Sequence, residues 1–140
     1  MTRDDTQKFF DRRIEAWRNR DFDALALTHT DDCVLESPLV GTVTGRVAID
    51  QVYRSFLASF PDLAVDDPEL IVEDGRVAQT VTFSGTNTGG FMGVPPTGRR
   101  FSFPAALICT MRDGQIAHET RIYDFTRFLI EIGVLKAKPV

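Results

Sequence analysis

Along the first 60 residues, apolar side chains recur every three or four positions, as they do on one face of a helix. We predict an amphipathic helix from a cap at Thr2 or Asp4 to about Arg20, a shorter one from Asp21 through Leu27, and a third over residues 47–60. The stripes that define the first and third helices are Phe10, Ile14 and Trp17, and then Ile49, Val52, Tyr53, Phe56 and Phe60. A short strand over residues 33–37, stopped by Pro38, lies between the second and third helices.

After residue 60 the apolar positions change from helical spacing to alternation. Strands are predicted over residues 63–72 (with a break at Pro68), 76–84, 101–112 and 115–124. Turn residues at 73–75 and 113–114 indicate two hairpins, and a loop rich in Gly and Pro fills residues 85–100. A short helix over residues 125–133 follows, with Gly133 as its C-cap.

Helices followed by strands joined in hairpins predict an α+β fold in a single domain over residues 1–140. The expected form is a curved antiparallel sheet packed on about three N-terminal helices, plus a short C-terminal helix. A sheet bent over helices in this way forms a cone, and its open end is a natural pocket for a small molecule.

Composition and charge narrow the possible partners. The 140 residues include 16 basic and 20 acidic side chains, for a net charge of −4, and there is no basic run to follow a phosphate backbone. We therefore expect no nucleic-acid partner. The charged N-terminus and the lack of a long apolar run predict a cytoplasmic protein that does not bind membranes. Cys33 and Cys109 lack CxxC spacing, so both are predicted to be buried free thiols, with no metal bound.

Several segments carry a resemblance to known families. Residues 16–25 (AWRNRDFDAL) and 30–34 (TDDCV) resemble the helix–helix–strand opening of NTF2-like proteins. Residues 60–63 (FPDL), 85–99 (GTNTGGFMGVPPTGR) and 114–119 (GQIAHE), together with Asp124, resemble the SnoaL-like polyketide cyclases in particular. This resemblance implies the NTF2-like, or cystatin-like, cone fold and a homodimer formed through the sheet. It also implies closure of a polyketide ring by an intramolecular aldol condensation without metal or cofactor.

The resemblance places the acid/base carboxylate of such enzymes at Asp124. Removal of a proton next to a carbonyl needs a base in an apolar pocket, and Asp124 has the apolar neighbours Tyr123 and Phe125. The alternative interpretation is that Asp124 caps the C-terminal helix by accepting N–H bonds from Thr126 or Arg127.

An assisting imidazole would have to come from His118 or His29. Family members often carry His and Trp where this chain has Asn87 and Thr120. His118 has the strand parity of Asp124, so both are expected to face the cavity, about 20 Å apart along the strand. His29 ends the second predicted helix, where capping of that helix is the default interpretation.

Eight residues are predicted to bind the substrate, although most of the aromatic members are better explained as core residues, and Trp17 and Tyr53, with their polar tips, are the better pocket candidates. They are Trp17, Tyr53, Phe56, Phe83, Phe103, Asn87, Thr120 and Ile122.

Three classes of function remain open from the sequence. The favoured class is a cofactor-independent cyclase, isomerase or related lyase that acts on an apolar, polyketide-like carbonyl compound. A non-catalytic protein that binds small molecules is the alternative, because Asn87 and Thr120 replace residues common in the family. A structural role as a dimerisation module is the third.

Overall fold

The computed structural model describes residues 1–136, which contain four helices and six strands. The helices are α1 (Arg3–Arg18), α2 (Phe22–Leu27), α3 (Arg46–Ser59) and α4 (Phe125–Glu131). The strands are β1 (His29–Ser37), β2 (Gly41–Thr44), β3 (Ala64–Glu73), β4 (Arg76–Thr86), β5 (Arg100–Arg112) and β6 (Gln115–Ile122).

The strands form one curved sheet in the order β2-β1-β6-β5-β4-β3, with the helices packed against it. The predicted α+β architecture is confirmed, but the sheet is mixed and not wholly antiparallel, because β1 runs parallel to β6. No tight turn fixes the direction of this pair, since its strands are far apart in sequence. The four-residue strand β2 follows Pro38 in the chain and pairs antiparallel with β1. This strand was not predicted.

Local sequence explains where the helices begin. Thr2 and Asp5 form a capping box at the start of α1, in which each side chain accepts the other residue's backbone N–H. Asp21 caps α2 by accepting the N–H of Ala24. Both caps agree with the sequence prediction.

No helix in residues 1–136 has the length and apolar character needed to span a membrane.

A bulge in β6 decides which of its side chains face the helices. Thr110 of β5 pairs with His118, but Met111 pairs with Ile116, so Ala117 has no partner on β5. Ile116 is fully buried, and beyond the extra residue the buried position is Glu119 rather than His118. The bulge therefore reverses the parity that simple alternation predicts for the second half of β6.

Aromatic rings fill the core at the end of the cone that the Gly/Pro loop covers. Phe128 of α4 meets the rings of Phe60, Phe91, Phe101 and Phe103 edge to face, with centroids 4.9 to 5.7 Å apart. The loop is ordered by its own bonds, since Asn87 accepts the N–H of Gly90 and donates to Thr97. This arrangement fixes the loop against α3 and α4.

We predict that Gly89→Ala destabilises the fold, because an added Cβ would lie 1.9 Å from the carbonyl oxygen of Ala58. The Gly89 N–H donates to Ser59 at 3.0 Å, so the loop cannot simply move away. Chemical denaturation should show a loss of roughly 1–3 kcal/mol in the free energy of unfolding. Thr88→Ala at the preceding position is the control, because it shortens an exposed side chain and adds no atom to the contact. Equal losses in the two variants would contradict this account of the contact.

Candidate active site

A buried carboxylate between two arginines organises the interior of the cone. Arg13 of α1 donates to one oxygen of Glu119 at 2.6 Å, and Arg121 donates through Nε to the other oxygen at 2.6 Å. Glu119 is fully buried, Arg13 is 2% exposed, and the Arg121 side chain is 11% exposed. Because Glu119 and Arg121 are two residues apart on β6, both point to the same face of the sheet.

Tyr53 and His29 complete this buried cluster. The Tyr53 hydroxyl accepts a hydrogen bond from Arg13 at 2.9 Å and lies 3.2 Å from Nε2 of His29. Since Arg13 uses the hydroxyl as an acceptor, the Tyr53 proton is free to point at the His29 ring. This arrangement fits a neutral imidazole whose Nε2 accepts that proton.

The electrostatics of the cluster follow from its burial. Burial alone would raise the pKa of Glu119, but Arg13 and Arg121 hold it well below its ordinary value. Burial, together with Arg13, lowers the pKa of His29. Burial and the nearby Glu119 raise the pKa of Tyr53 to about 12. At neutral pH, two arginine cations therefore face one carboxylate, beside a neutral imidazole and a protonated phenol.

A narrow cavity lies next to this cluster, between the sheet and α3. Its free volume is about 450 Å³ measured out to its mouth, of which about 20 Å³ admits the centre of a water molecule. The lining is mostly apolar and consists of Trp17, Leu35, Ser37, Leu39, Val40, Val52, Phe56, Leu63, Phe83, Phe103, Arg121 and Tyr123. Arg121 is the one charged side chain in this lining among residues 1–136.

An outer groove adjoins the cavity on the side of α3. Leu39, Val40, Val52 and Phe56 line both spaces, so these four side chains form the wall between them. The groove continues to Phe91 and Met92 of the Gly/Pro loop and has a free volume of about 930 Å³ including open solvent. A ligand larger than a few atoms would need this wall to move before it could reach Arg121.

This geometry can be compared with known proteins. The family model for SnoaL-like polyketide cyclases matches residues 7–131, which is most of the chain. The chain belongs to the SnoaL-like polyketide cyclase family. A comparison with curated protein sequences gives no significant match.

Solved structures of SnoaL-like and related proteins share the fold. AclR from Streptomyces galilaeus, a candidate hydroxylase, is 26% identical with a TM-score of 0.81, over 95% of this chain and 87% of AclR. IdmH from Streptomyces antibioticus, a candidate polyketide cyclase, is 26% identical with a TM-score of 0.77, over 91% of this chain and 98% of IdmH. A candidate polyketide cyclase from Xanthomonas campestris is 20% identical with a TM-score of 0.85, over 93% and 98% of the two chains.

In this SnoaL-like chain, several of the predicted substrate-binding residues do lie at the cavity. Trp17, Phe56, Phe83 and Phe103 line it. Tyr53 lies directly behind the lining, with its ring centroid 4.7 Å from that of Trp17. His29 is not a helix cap, because α2 ends before it and its ring is buried against Tyr53.

The other predicted site residues lie outside the cavity. Asp124 is exposed and caps α4 by accepting the N–H of Arg127 at 2.9 Å. His118 lies on the opposite face of the sheet, 2.7 Å from the Glu36 carboxylate, and Ile122 is 57% exposed there. The bulge at Ala117 is the physical reason, since it turns the even-numbered residues that follow it outward.

Two further predicted residues also lie away from the cavity. Thr120 follows the same outward parity and lines a shallow groove with Glu36 and Pro38. Asn87 is fully buried in the Gly/Pro loop, where it bonds Gly90 and Thr97 and does not reach the cavity.

The buried free cysteines agree with the sequence prediction. Cys33 and Cys109 are both buried, and neither forms a disulfide. Burial raises the pKa of the Cys33 thiol to about 12, so it is protonated at neutral pH. In residues 1–136, no three His, Cys, Asp or Glu side chains are close enough together to hold a metal ion.

Sequence reasoning missed Arg13, Glu119 and Arg121. Arg13 carries a detectable signal, because it stands three residues after Phe10 and four before Trp17 on the apolar stripe of α1. A charged residue on such a stripe needs a buried partner. That partner could not be chosen from the sequence, because the parity of Glu119 depends on the bulge.

We predict that Glu119→Gln costs roughly 3–5 kcal/mol in the free energy of unfolding, because it leaves two buried arginines without a counter-charge. Thermal and chemical denaturation would measure this loss. Glu15→Gln is the control, since its surface pair with Arg18 contributes little. Similar stability of the two variants would contradict the central place of Glu119.

Stability should also depend on pH through Glu119. Its pKa is lower in the folded state than in the unfolded state, so its contribution is present above the ordinary value of 4.5. That contribution is lost as pH falls from 4.5 toward the folded-state pKa. Glu119→Gln should therefore flatten the acid limb of the stability curve. An unchanged acid limb would show that Glu119 does not carry this dependence.

Proposed function

We propose that this SnoaL-like protein is a cofactor-independent cyclase or isomerase that acts on an apolar, polyketide-like carbonyl compound held in the cone cavity. The observation that carries the proposal is the cavity itself, in which aromatic and aliphatic walls surround the single cation Arg121. Flat apolar rings match such walls, and a carbonyl oxygen is the natural partner of a guanidinium.

The role assigned to Arg121 is to stabilise negative charge on the substrate oxygen. When a proton leaves the carbon next to a carbonyl, charge develops on that oxygen, and a fixed donor in a dry site stabilises it strongly. Arg121 is held in place through Nε by Glu119 and lies over the Tyr53 ring, 4.9 Å from its centroid. In this proposal the substrate C–H bond breaks, its electron pair becomes the enolate, and a water molecule takes the proton.

Asp124 has no part in this proposal, because it is exposed and its oxygen is engaged at the start of α4. The acid/base role that the family resemblance implies for Asp124 is therefore absent from this proposal, in which water takes the proton and Arg121 stabilises the oxyanion. A strongly acidic carbon, such as that between two carbonyl groups, makes this sufficient, because little basicity is then needed.

The alternative function, a non-catalytic binder of small molecules, has an observation in its favour. Among residues 1–136, neither a carboxylate nor an imidazole lines the cavity. Binding without turnover requires no base, whereas catalysis requires the substrate itself to be acidic.

A model reaction separates the two functions. We expect the wild type to accelerate exchange of the acidic protons of 1-phenylbutane-1,3-dione in D2O, followed by NMR. Arg121→Gln should reduce the rate about 100-fold, as the loss of an oxyanion donor does in other enzymes. Asp124→Asn should retain the rate, because Asn also caps a helix. Loss in Asp124→Asn with retention in Arg121→Gln would contradict the proposal, and binding without exchange would favour the binder.

We also propose that the chain forms a homodimer through the outer face of its sheet. Ile71 and Ile122 are exposed on this part of the molecule, at 68% and 57%, and Ile108 lies between their strands. An apolar surface of this kind is commonly covered by a partner. Analytical ultracentrifugation should show a dimer that Ile122→Glu dissociates. A monomeric wild type would contradict this part of the proposal.

A further inference from the structure

The buried cluster carries one positive charge that no side chain among residues 1–136 compensates. Arg13 and Arg121 are both paired with Glu119, so two cations share one anion. His29 does not change this balance, because burial favours its neutral form. A residual charge in a poorly solvated interior is costly unless a counter-ion reaches it.

Arg121 is the member of the cluster that can meet such a counter-ion. Its Nε is used by Glu119, but its two terminal nitrogens make no hydrogen bond to any residue in 1–136. Arg13, in contrast, spends a terminal nitrogen on both Glu119 and Tyr53 and does not line the cavity. The free edge of the Arg121 guanidinium is the fork that matches a carboxylate or an ionised enol.

We infer that the cavity selects a mono-anionic aromatic ligand, whose flat ring system packs against Phe83 and Phe103 and whose negative oxygen pairs with Arg121. This inference rests on the proposed function, because it requires the cavity to be the ligand site. It goes further in stating that the best ligand carries a full negative charge on the oxygen at Arg121, as the enolate of the proposed reaction does, or as a carboxylate or ionised phenol of similar shape does.

A neutral ligand of the same shape would leave the excess charge in place. An anion completes a set of two cations and two anions, in which every charge has a counter-charge at hydrogen-bond distance. Because Glu119 already holds Arg121 in position, little rearrangement of the arginine is needed on binding. Charge should therefore determine affinity, while the aromatic walls accept a range of flat rings.

Two probes of the same shape test this inference, namely 2-naphthoate and the neutral 2-naphthamide. Trp17 is the chain's single tryptophan and lines the cavity, so its indole N–H signal in NMR and its fluorescence report binding at this site. We expect 2-naphthoate to bind at least tenfold more tightly than 2-naphthamide. Titrations at neutral pH, where the acid is ionised, would give both dissociation constants.

Variants at Arg121 test whether its guanidinium recognises the negative charge of the ligand. Arg121→Gln should remove the preference for 2-naphthoate and keep the affinity for 2-naphthamide. The variant should fold, because Arg13 and Glu119 then form a balanced pair, and thermal unfolding would check this. Arg121→Lys should keep part of the preference, since it retains charge but not the fork. Arg100→Gln is the control, because its side chain is 64% exposed.

The possible outcomes separate the inference from the proposed function. Equal or tighter binding of 2-naphthamide would overturn the inference and leave the cavity as a ligand site. Retention of the anion preference in Arg121→Gln would overturn the inference as well, because another group would then recognise the negative charge of the ligand. If neither probe changes the Trp17 signal, both the inference and the proposed function fail.

Discussion

The Glu119 carboxylate is the constraint on which the interior of this cone depends. It holds α1 to the sheet through Arg13 and fixes Arg121 at the wall of the cavity. Removing it would leave two buried cations without a counter-charge, which few small domains could tolerate. Tyr53 bonds Arg13 and lies beside His29 next to this carboxylate, so the cluster both ties α1 to the sheet and forms the polar side of the cavity.

The same interaction gives the cavity its chemical character. Arg121, whose Nε is engaged by Glu119, lines a space walled by Trp17, Phe83 and Phe103. Such a site is suited to an oxygen-bearing flat molecule, in agreement with membership of the SnoaL-like polyketide cyclases. It differs from the carboxylate-based site that the resemblance implied, because Asp124 serves as the N-cap of α4.

Most of the fold could be predicted from the sequence, whereas half of the site could not. Helical stripes, caps at Thr2 and Asp21, and hairpin turns were sufficient for the helices and the four long strands. The aromatic residues that line the cavity, such as Trp17 and Phe83, could be predicted from the same helical and alternating patterns. The polar side of the cavity depends on the bulge at Ala117, a one-residue irregularity without a clear sequence signal, which turned His118 outward and Glu119 inward.

Long-range pairing was the second limit on prediction. Arg13 stands out as a charge on an apolar stripe, but its partner lies 106 residues later in the chain, on β6. Likewise, the parallel pairing of β1 with β6 joins strands far apart in sequence, so no local turn indicates it. Local physical rules give the elements, and contacts between distant elements decide which side chains share the cavity.

A crystal structure of the protein with 2-naphthoate would show whether Arg121 binds the anion of the ligand. We expect the naphthalene ring to lie against Phe83 and Phe103, with a carboxylate oxygen about 2.7–2.9 Å from a terminal nitrogen of Arg121. Nε of Arg121 should stay on Glu119. A naphthoate bound elsewhere, or in the cavity with its carboxylate turned away from Arg121, would show that Arg121 does not recognise the ligand.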